Sequence, residues 1–161
     1  MKQGRISKDV PLFEITLRKY EKPMNLNERE LVRKLCLSMG LLQPGDSRDI
    51  IVDILHILIK NPKNLTSDMI CKKVIEQRKE NKLGMLGIAP SNVRRQLKRL
   101  KDLMLIEKRL NAYRIPENGK LLEAFEEKIE RFLLPSISSR IKEYLARLDE
   151  LRPVDDDNAS D

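Results

Sequence analysis

The chain is poor in the residues from which most enzyme chemistry is built. Its 161 residues include one histidine, two cysteines and no tryptophan, and aromatics make up 4%. A single histidine without a Cys/His cluster gives no zinc-ligand pattern. There is no Ser-His-Asp order, no glycine-rich phosphate loop and no second acid–base pair in a recognisable context. The sequence therefore reads as a non-enzyme without a cofactor. Two cysteines do not make the disulfide framework of a small secreted domain. The first ten residues, MKQGRISKDV, hold no apolar stretch of the signal-peptide kind. The longest apolar run, Ile50 to Ile59, is interrupted by Asp53 and His56 and covers about half a bilayer. These absences lead us to expect a soluble, cytoplasmic protein with no membrane segment. The shortage of aromatics also disfavours base-stacking platforms for single strands.

What the chain has is positive charge, unevenly placed. Lys and Arg number 32 against 25 Asp and Glu, a net +7. Residues 1–59 carry net +2, residues 60–114 carry 15 basic and 5 acidic side chains for net +10, and residues 115–161 carry net −5. A basic block between a near-neutral lead and an acidic follower points to one anion-binding element rather than a uniform basic coat.

Periodicity and punctuation divide the chain into segments. LFEITLRKYEKP reads as a helix stopped near Pro23. Asn27, with Glu30 three residues on, forms a capping-box signature for a helix over Glu28 to Met39, its inner face Leu31, Leu35 and Met39 and its stop Gly40. Asp46 or Ser47 is expected to cap RDIIVDILHILIK, which is apolar on most sides apart from a stripe of Asp49, Asp53, His56 and Lys60. Thr66 or Ser67 caps DMICKKVIEQRKEN, with Ile70, Val74 and Cys71 or Ile75 inward. After the loop LGMLGIA, Pro90 opens PSNVRRQLKRLKDLML at a first-turn position. LIEKRLNAYRI then predicts a two-stranded ribbon, about 105–110 and 112–115. Two helices, 119–134 and 136–151, are expected on either side of Pro135, and the acidic end PVDDDNASD reads as a disordered tail.

The order helix, helix, loop, helix, ribbon is that of a winged helix-turn-helix domain. The fold class expected is mainly α (α+β), with a two-stranded wing and flanking N- and C-terminal helices. The domain reading is 1–46 for N-terminal helices, 47–116 for the winged domain, 117–152 for C-terminal helices and 153–161 for the tail. On the third helix of that domain, about 90–103, Val93, Leu97, Leu100 and Met104 make a narrow core stripe at helical spacing. The opposite face holds Ser91, Arg95, Lys98 and Asp102, flanked by Asn92 and Arg99 on one side and by Arg94 and Lys101 on the other. Arg95 suits bidentate pairing with guanine O6 and N7, and Asn92, or an outward Gln96, suits adenine. Ser91 with the helix N-terminal amides suits a phosphate. Lys98, Arg99 and Lys101 suit salt-dependent backbone contacts. Lys108 and Arg109, near the ribbon tip, suit an adjacent minor groove or its phosphates. Arg114 is set apart, because its position also allows it to pack back across the ribbon.

PSNVRRQLKRLKDLMLIEKRLNAYRI resembles the recognition helix and wing of MarR- and ArsR-like winged-helix transcription regulators. The likeness rests on Ser91-Asn92, the spaced Val93, Leu97 and Leu100, the turn from Leu103 to Ile106, and Glu107-Lys108 and Tyr113-Arg114. It covers about 47–115. The loop before the third helix is longer than the usual turn, and Met104 stands where glycine is frequent. The resemblance implies double-stranded DNA as partner, and a homodimer built from helices outside the winged domain, here within residues 9–39 and 119–151. It also leaves room for a small-molecule effector that no residue here specifies.

Other signals are weaker. Gly84-Met85-Leu86-Gly87 matches the GxxG loop of KH domains, but its middle residues are apolar and no strand flanks it, so it reads as a packed spacer. Asp49, Asp53 and His56 share a helix face, which more often means a solvated or ion-paired stripe than a metal site. Cys36 and Cys71 fall on apolar faces and read as packing residues rather than oxidant sensors. The sequence thus reads as a homodimeric, sequence-specific DNA-binding transcription regulator. A winged protein-interaction module of a larger nucleic-acid complex, or RNA binding through the same face, are the alternatives.

Overall fold

A computed structural model describes residues 11–19 and 21–153. It is mainly helical, with a small three-stranded antiparallel sheet. The elements run α1 (Glu28–Ser38), α2 (Ile50–Lys60), β1 (Leu65–Thr66), α3 (Ser67–Glu80), α4 (Pro90–Asp102), β2 (Glu107–Arg109), β3 (Ala112–Arg114), α5 (Leu121–Ala124), a π-helical segment (Phe125–Leu133) and α6 (Leu134–Glu150). The expected acidic tail lies outside the described residues, apart from Pro153.

The core is organised by α2. Ile50, Ile51, Val52, Ile54, Leu55, Ile57 and Leu58 are all buried, so the helix is apolar on nearly every side and packs against α1, α3 and α4. From α4 it receives Val93, Leu97 and Leu100, each wholly buried; each such side chain contributes about 1.5–3 kcal/mol on removal from water. From α3 it receives Ile70, Cys71 and Val74.

The polar stripe of α2 is buried at Asp53, half-buried at Asp49 and His56, and exposed at Lys60. Asp53 is fully buried and Arg78 of α3 nearly so. Arg78 Nη1 lies 2.5 Å from Asp53 Oδ2 and 3.1 Å from Asp49 Oδ1. Arg29 of α1 closes the other side, with Nε 2.9 Å from Asp53 Oδ1 and Nη2 2.9 Å from Asp49 Oδ2. Burial pushes the Asp49 carboxyl up, but hydrogen bonds from Arg29 and Arg78 outweigh it and hold the group below the ordinary aspartate value. Farther along the stripe, Glu28 accepts from Lys60 at 2.9 Å and pairs with His56 at 3.1 Å. Two carboxylates and two guanidiniums thus join three helices.

Four expectations are corrected. Residues 11–19 form neither helix nor strand. Pro11 and Pro23 bracket the stretch; among its described residues Phe13 is the one hydrophobic side chain packed against the core, while Leu12 and Leu17 are fully exposed, so a helical face there would find no core surface to pack on. The segment instead runs past the end of α1, where Thr16 N–H donates to Ser38 O at 2.8 Å. Gly40 permits this approach, since a Cβ there would stand 3.3 Å from Glu14 Cβ. The inner face of α1 is also rotated. Of the expected Leu31, Leu35 and Met39, Met39 is buried and Leu35 packs against the core, but Leu31 is 45% exposed and Val32, Cys36 and Leu37 are buried in its stead, because α1 is also held through the Arg29 ion pairs.

The third correction is to the sheet, which has three strands and not two. β1, only two residues long, pairs with β3, which pairs with β2; two residues carry no alternation for a sequence to reveal. The fourth concerns Pro135, which does not divide two helices. The chain continues from Leu121 to Glu150. Proline removes an N–H and its ring crowds the carbonyl one turn back. The wider π winding of Phe125–Leu133 moves those carbonyls aside, and the Ser136 hydroxyl donates to Phe132 O at 2.7 Å. A smaller adjustment applies to α2, which begins at Ile50 without a side-chain cap, Asp46 accepting instead from Arg48 N–H. The capping box of Asn27 and Glu30 and the Thr66 cap form as read.

Candidate nucleic-acid interface

α4 presents two chemically distinct faces. Val93, Leu97 and Leu100 go into the core. Ser91, Arg94, Arg95, Lys98, Arg99 and Lys101 are exposed and Asn92 is half-buried. Pro90 stands in the first turn, where its missing N–H costs no hydrogen bond. The helix is therefore held by one stripe and offers cations over the remainder.

These side chains differ in how far they are already engaged. The Asn92 amide is committed within the protein. Its Nδ2 donates to Gly87 O at 2.7 Å, and its Oδ1 accepts from Arg95 Nη2 at 2.7 Å and Gln96 Nε2 at 3.1 Å. Asn92 thus ties the preceding loop to the helix and steadies Arg95. Arg99 Nη1 donates to Gln96 Oε1 at 2.8 Å. Lys98 is neutralised by Asp102 at 2.6 Å, one turn on. Among the described residues, Arg94 and Lys101 have no ion-pair partner.

A cleft of about 420 Å³ opens at the start of α4, lined among others by Arg48, Gly87, Asn92, Arg95, Gln96 and Arg99. Three guanidiniums border it, with one acidic side chain, Asp46. Arg48 reaches it from the lead into α2, and its only sequence signal was its place beside a helix start. The loop feeding this cleft is anchored from below, where Arg78 Nε donates to Gly84 O at 2.5 Å. Within that loop Met85 is half-buried and Leu86 is 58% exposed, so only the methionine packs as the spacer reading expects.

α4 ends on Met104, which adopts a left-handed backbone with φ of +60°. Its N–H donates to Lys101 O, and Leu105 N–H donates to Leu100 O at 3.1 Å, the hydrogen-bond pair of a Schellman stop. This is the conformation that glycine usually supplies, so methionine leaves the exit of the helix unchanged.

The exit leads into the β2–β3 ribbon. Lys108 lies opposite Tyr113 in the ladder, its Nζ 5.6 Å from the ring centroid, within reach of a cation–π contact. Arg109 is exposed and pairs loosely with Glu107 at 3.6 Å. Arg114, directly opposite Glu107, donates to its Oε1 at 2.6 Å. A hydrogen bond from Glu117 N–H is the chief cause that keeps the Glu107 carboxyl below its usual range, with Arg114 adding to it. Arg114 is therefore spent on holding the ribbon, while Lys108 and Arg109 remain outward.

Cys36 and Cys71 are both buried. Burial pushes the Cys36 thiol up to about 12, and Arg99 offsets this only in part, which is the opposite of a reactive thiolate niche. No family model matches the chain, and comparison with curated proteins and with solved structures likewise gives no match.

Proposed function

We propose that the protein is a winged helix-turn-helix, sequence-specific binder of double-stranded DNA that acts as a homodimeric transcription regulator. The observation that carries this reading is the division of α4. Its Val93, Leu97 and Leu100 are fully buried while Arg94, Arg95, Lys98, Arg99 and Lys101 all face outward. The ribbon follows four residues after the helix. Helix, short strand, helix, helix and hairpin is the winged-helix order, and its third helix is the one that enters the major groove in such folds.

In this reading Arg95, held by Asn92, meets a guanine edge, and Arg94 and Lys101 meet the backbone. Arg48 and Arg99, beside the start of α4, hold a phosphate, and Lys108 and Arg109 reach the flank. The engaged amide of Asn92 shifts its part from reading adenine to positioning Arg95. In a two-fold dimer, two such helices lie about 34–36 Å apart and call for a pseudo-palindromic site.

The test is selection of bound duplexes from a random pool, followed by competition with duplex DNA, single-stranded DNA and duplex RNA. A two-fold duplex consensus is expected. Arg95→Ala should cost about 1–3 kcal/mol at one base position. Lys108→Ala should weaken all sequences alike. Preference for RNA, or tight capture of a protein with only salt-sensitive DNA binding, would transfer the same face to another function.

A further inference from the structure

The least satisfied part of the molecule is its last helix. Every residue from Ser138 to Pro153 is exposed, and α6 buries none of its own residues. Its root is fixed, because Ile129 in the π segment is wholly buried and Ile137 lines a cleft with Phe13 and Leu37. Beyond Ile137 the helix stands clear of the body.

A free helix of this length should not carry an apolar face. Isolated helices shorter than about 12–15 residues are marginal in water and gain their stability from packing. Yet Ile141, Tyr144, Leu145, Leu148 and Leu151 are 53–64% exposed. Ile141, Tyr144, Leu148 and Leu151 recur at intervals of three and four, the a and d positions of a coiled-coil seam. The spacing selects another helix as partner in preference to a sheet or a small molecule.

We infer that residues 138–151 pair with the same residues of a second copy of this chain, as a two-stranded antiparallel coiled coil centred on Ala146. The inference deepens the homodimer reading above by naming its interface. The seam is its own complement. With the centre at Ala146, Ile141 meets the partner's Leu151 and Tyr144 meets the partner's Leu148, and the two-fold axis repeats both layers. Leu145 then lies beside its own copy and closes the middle of the flank. The five side chains expose roughly 600 Å² of mostly apolar surface, of the order of the ~800 Å² per partner in a stable interface. The stems of Arg140 and Arg147 widen the strip.

Charge selects the direction. Residues 136–147 carry three basic side chains and one acidic, whereas residues 148–161 carry one basic and six acidic. A parallel pair sets like ends together. An antiparallel pair sets the basic half of each helix beside the acidic half of its partner and opposes the two helix dipoles favourably.

The experiment is sedimentation equilibrium of the full chain at high micromolar concentration, without DNA. A mass of twice 18.8 kDa is expected. Leu148→Glu should return the mass to one chain, and Ser139→Glu, on the outer side of the helix, should leave the dimer intact. Unchanged urea midpoints at low concentration show that both variants fold. Direction is read by oxidising Ile141→Cys and Leu151→Cys proteins separately and mixed. A covalent dimer only in the mixture supports the antiparallel seam. Cross-linking of each variant alone overturns the direction, and a monomeric parent or a dimeric Leu148→Glu overturns the interface. DNA titration of the same samples separates the two readings, since a monomer that still binds duplex leaves the proposed function standing.

Discussion

Arg78 of α3 reaches across to α2 and donates to Asp53, a carboxylate with no solvent exposure, while the nitrogen at the other side of the same guanidinium holds Gly84 O of the loop before α4. One side chain thus neutralises a core charge and fixes the lead into the proposed DNA-reading helix. Removing one partner of a buried pair leaves the other unpaired and costs far more than the pair contributes. Arg78→Ala should therefore lose about 3 kcal/mol in urea unfolding, with Arg29 retaining part of the hold on Asp53. Lys98→Ala, which breaks an exposed pair, should lose less than about 1 kcal/mol. Equal losses in the two variants would show that the buried network carries no special weight.

The same network makes stability depend on acid. Asp49 has a folded-state carboxyl below its ordinary value, and Glu107 does too. A depressed carboxyl contributes stability that is fully present above the unfolded value, about 4. That contribution fades as pH falls from there through the depressed folded value. Urea midpoints should thus be flat from neutrality down to about pH 5 and fall below about pH 4. Asp49→Asn should lower the midpoint at neutral pH and flatten the acid fall. An Asp49→Asn protein with the parent's full acid slope would remove Asp49 from this account.

What could be read from the sequence follows how each residue's partners are distributed along the chain. The core stripe of α4 is legible because Val93, Leu97 and Leu100 repeat one helix's own period. The outward cations follow from the same arithmetic. The Arg78 network is not legible, since its members lie 20 to 29 residues apart on three helices and no local pattern links them. The two-residue strand β1 exists only through its ladder with β3. Pro135 carries a strong local stop signal, which π winding over Phe125–Leu133, ending two residues before it, overrides. The engagement of the Asn92 amide depends on where the loop carbonyl of Gly87 comes to rest. Residue types at the candidate site could therefore be read, but not which of them were already committed.

Helix ends show the same limit and give a direct test. α1, α3 and α4 all stop on a left-handed residue, at Gly40, Lys82 and Met104. Only the first advertises itself by type. Lys82 is exposed, with φ of +53°, and its N–H donates to Lys79 O while Leu83 N–H donates to Arg78 O at 2.8 Å. A side chain pays a steric cost in that conformation which glycine does not. Lys82→Gly should raise stability by about 0.5–1 kcal/mol after the added freedom of the unfolded chain is counted. A loss of similar size in thermal or urea unfolding would contradict the left-handed stop.

Asp102 offers the cleanest separation between the proposed DNA face and an ordinary charged surface. It is the one acidic residue in α4, and it takes Lys98 out of use at 2.6 Å. If α4 lies in a groove, this carboxylate stands near phosphates and repels them, and Lys98 must leave it to make a backbone contact. An exposed pair of this kind is worth about 0.2–1 kcal/mol. Asp102→Asn removes that cost and the repulsion together, and should tighten duplex binding about two- to five-fold at moderate salt. It should also steepen the salt dependence by close to one phosphate contact, since Lys98 now displaces a counterion. Arg94→Ala and Lys101→Ala, on cations without an ion-pair partner in the described structure, should do the reverse and shallow the slope. Fluorescence anisotropy over a salt series reads all three variants on one duplex. A slope unchanged in each would place α4 outside the interface, whatever else the protein binds.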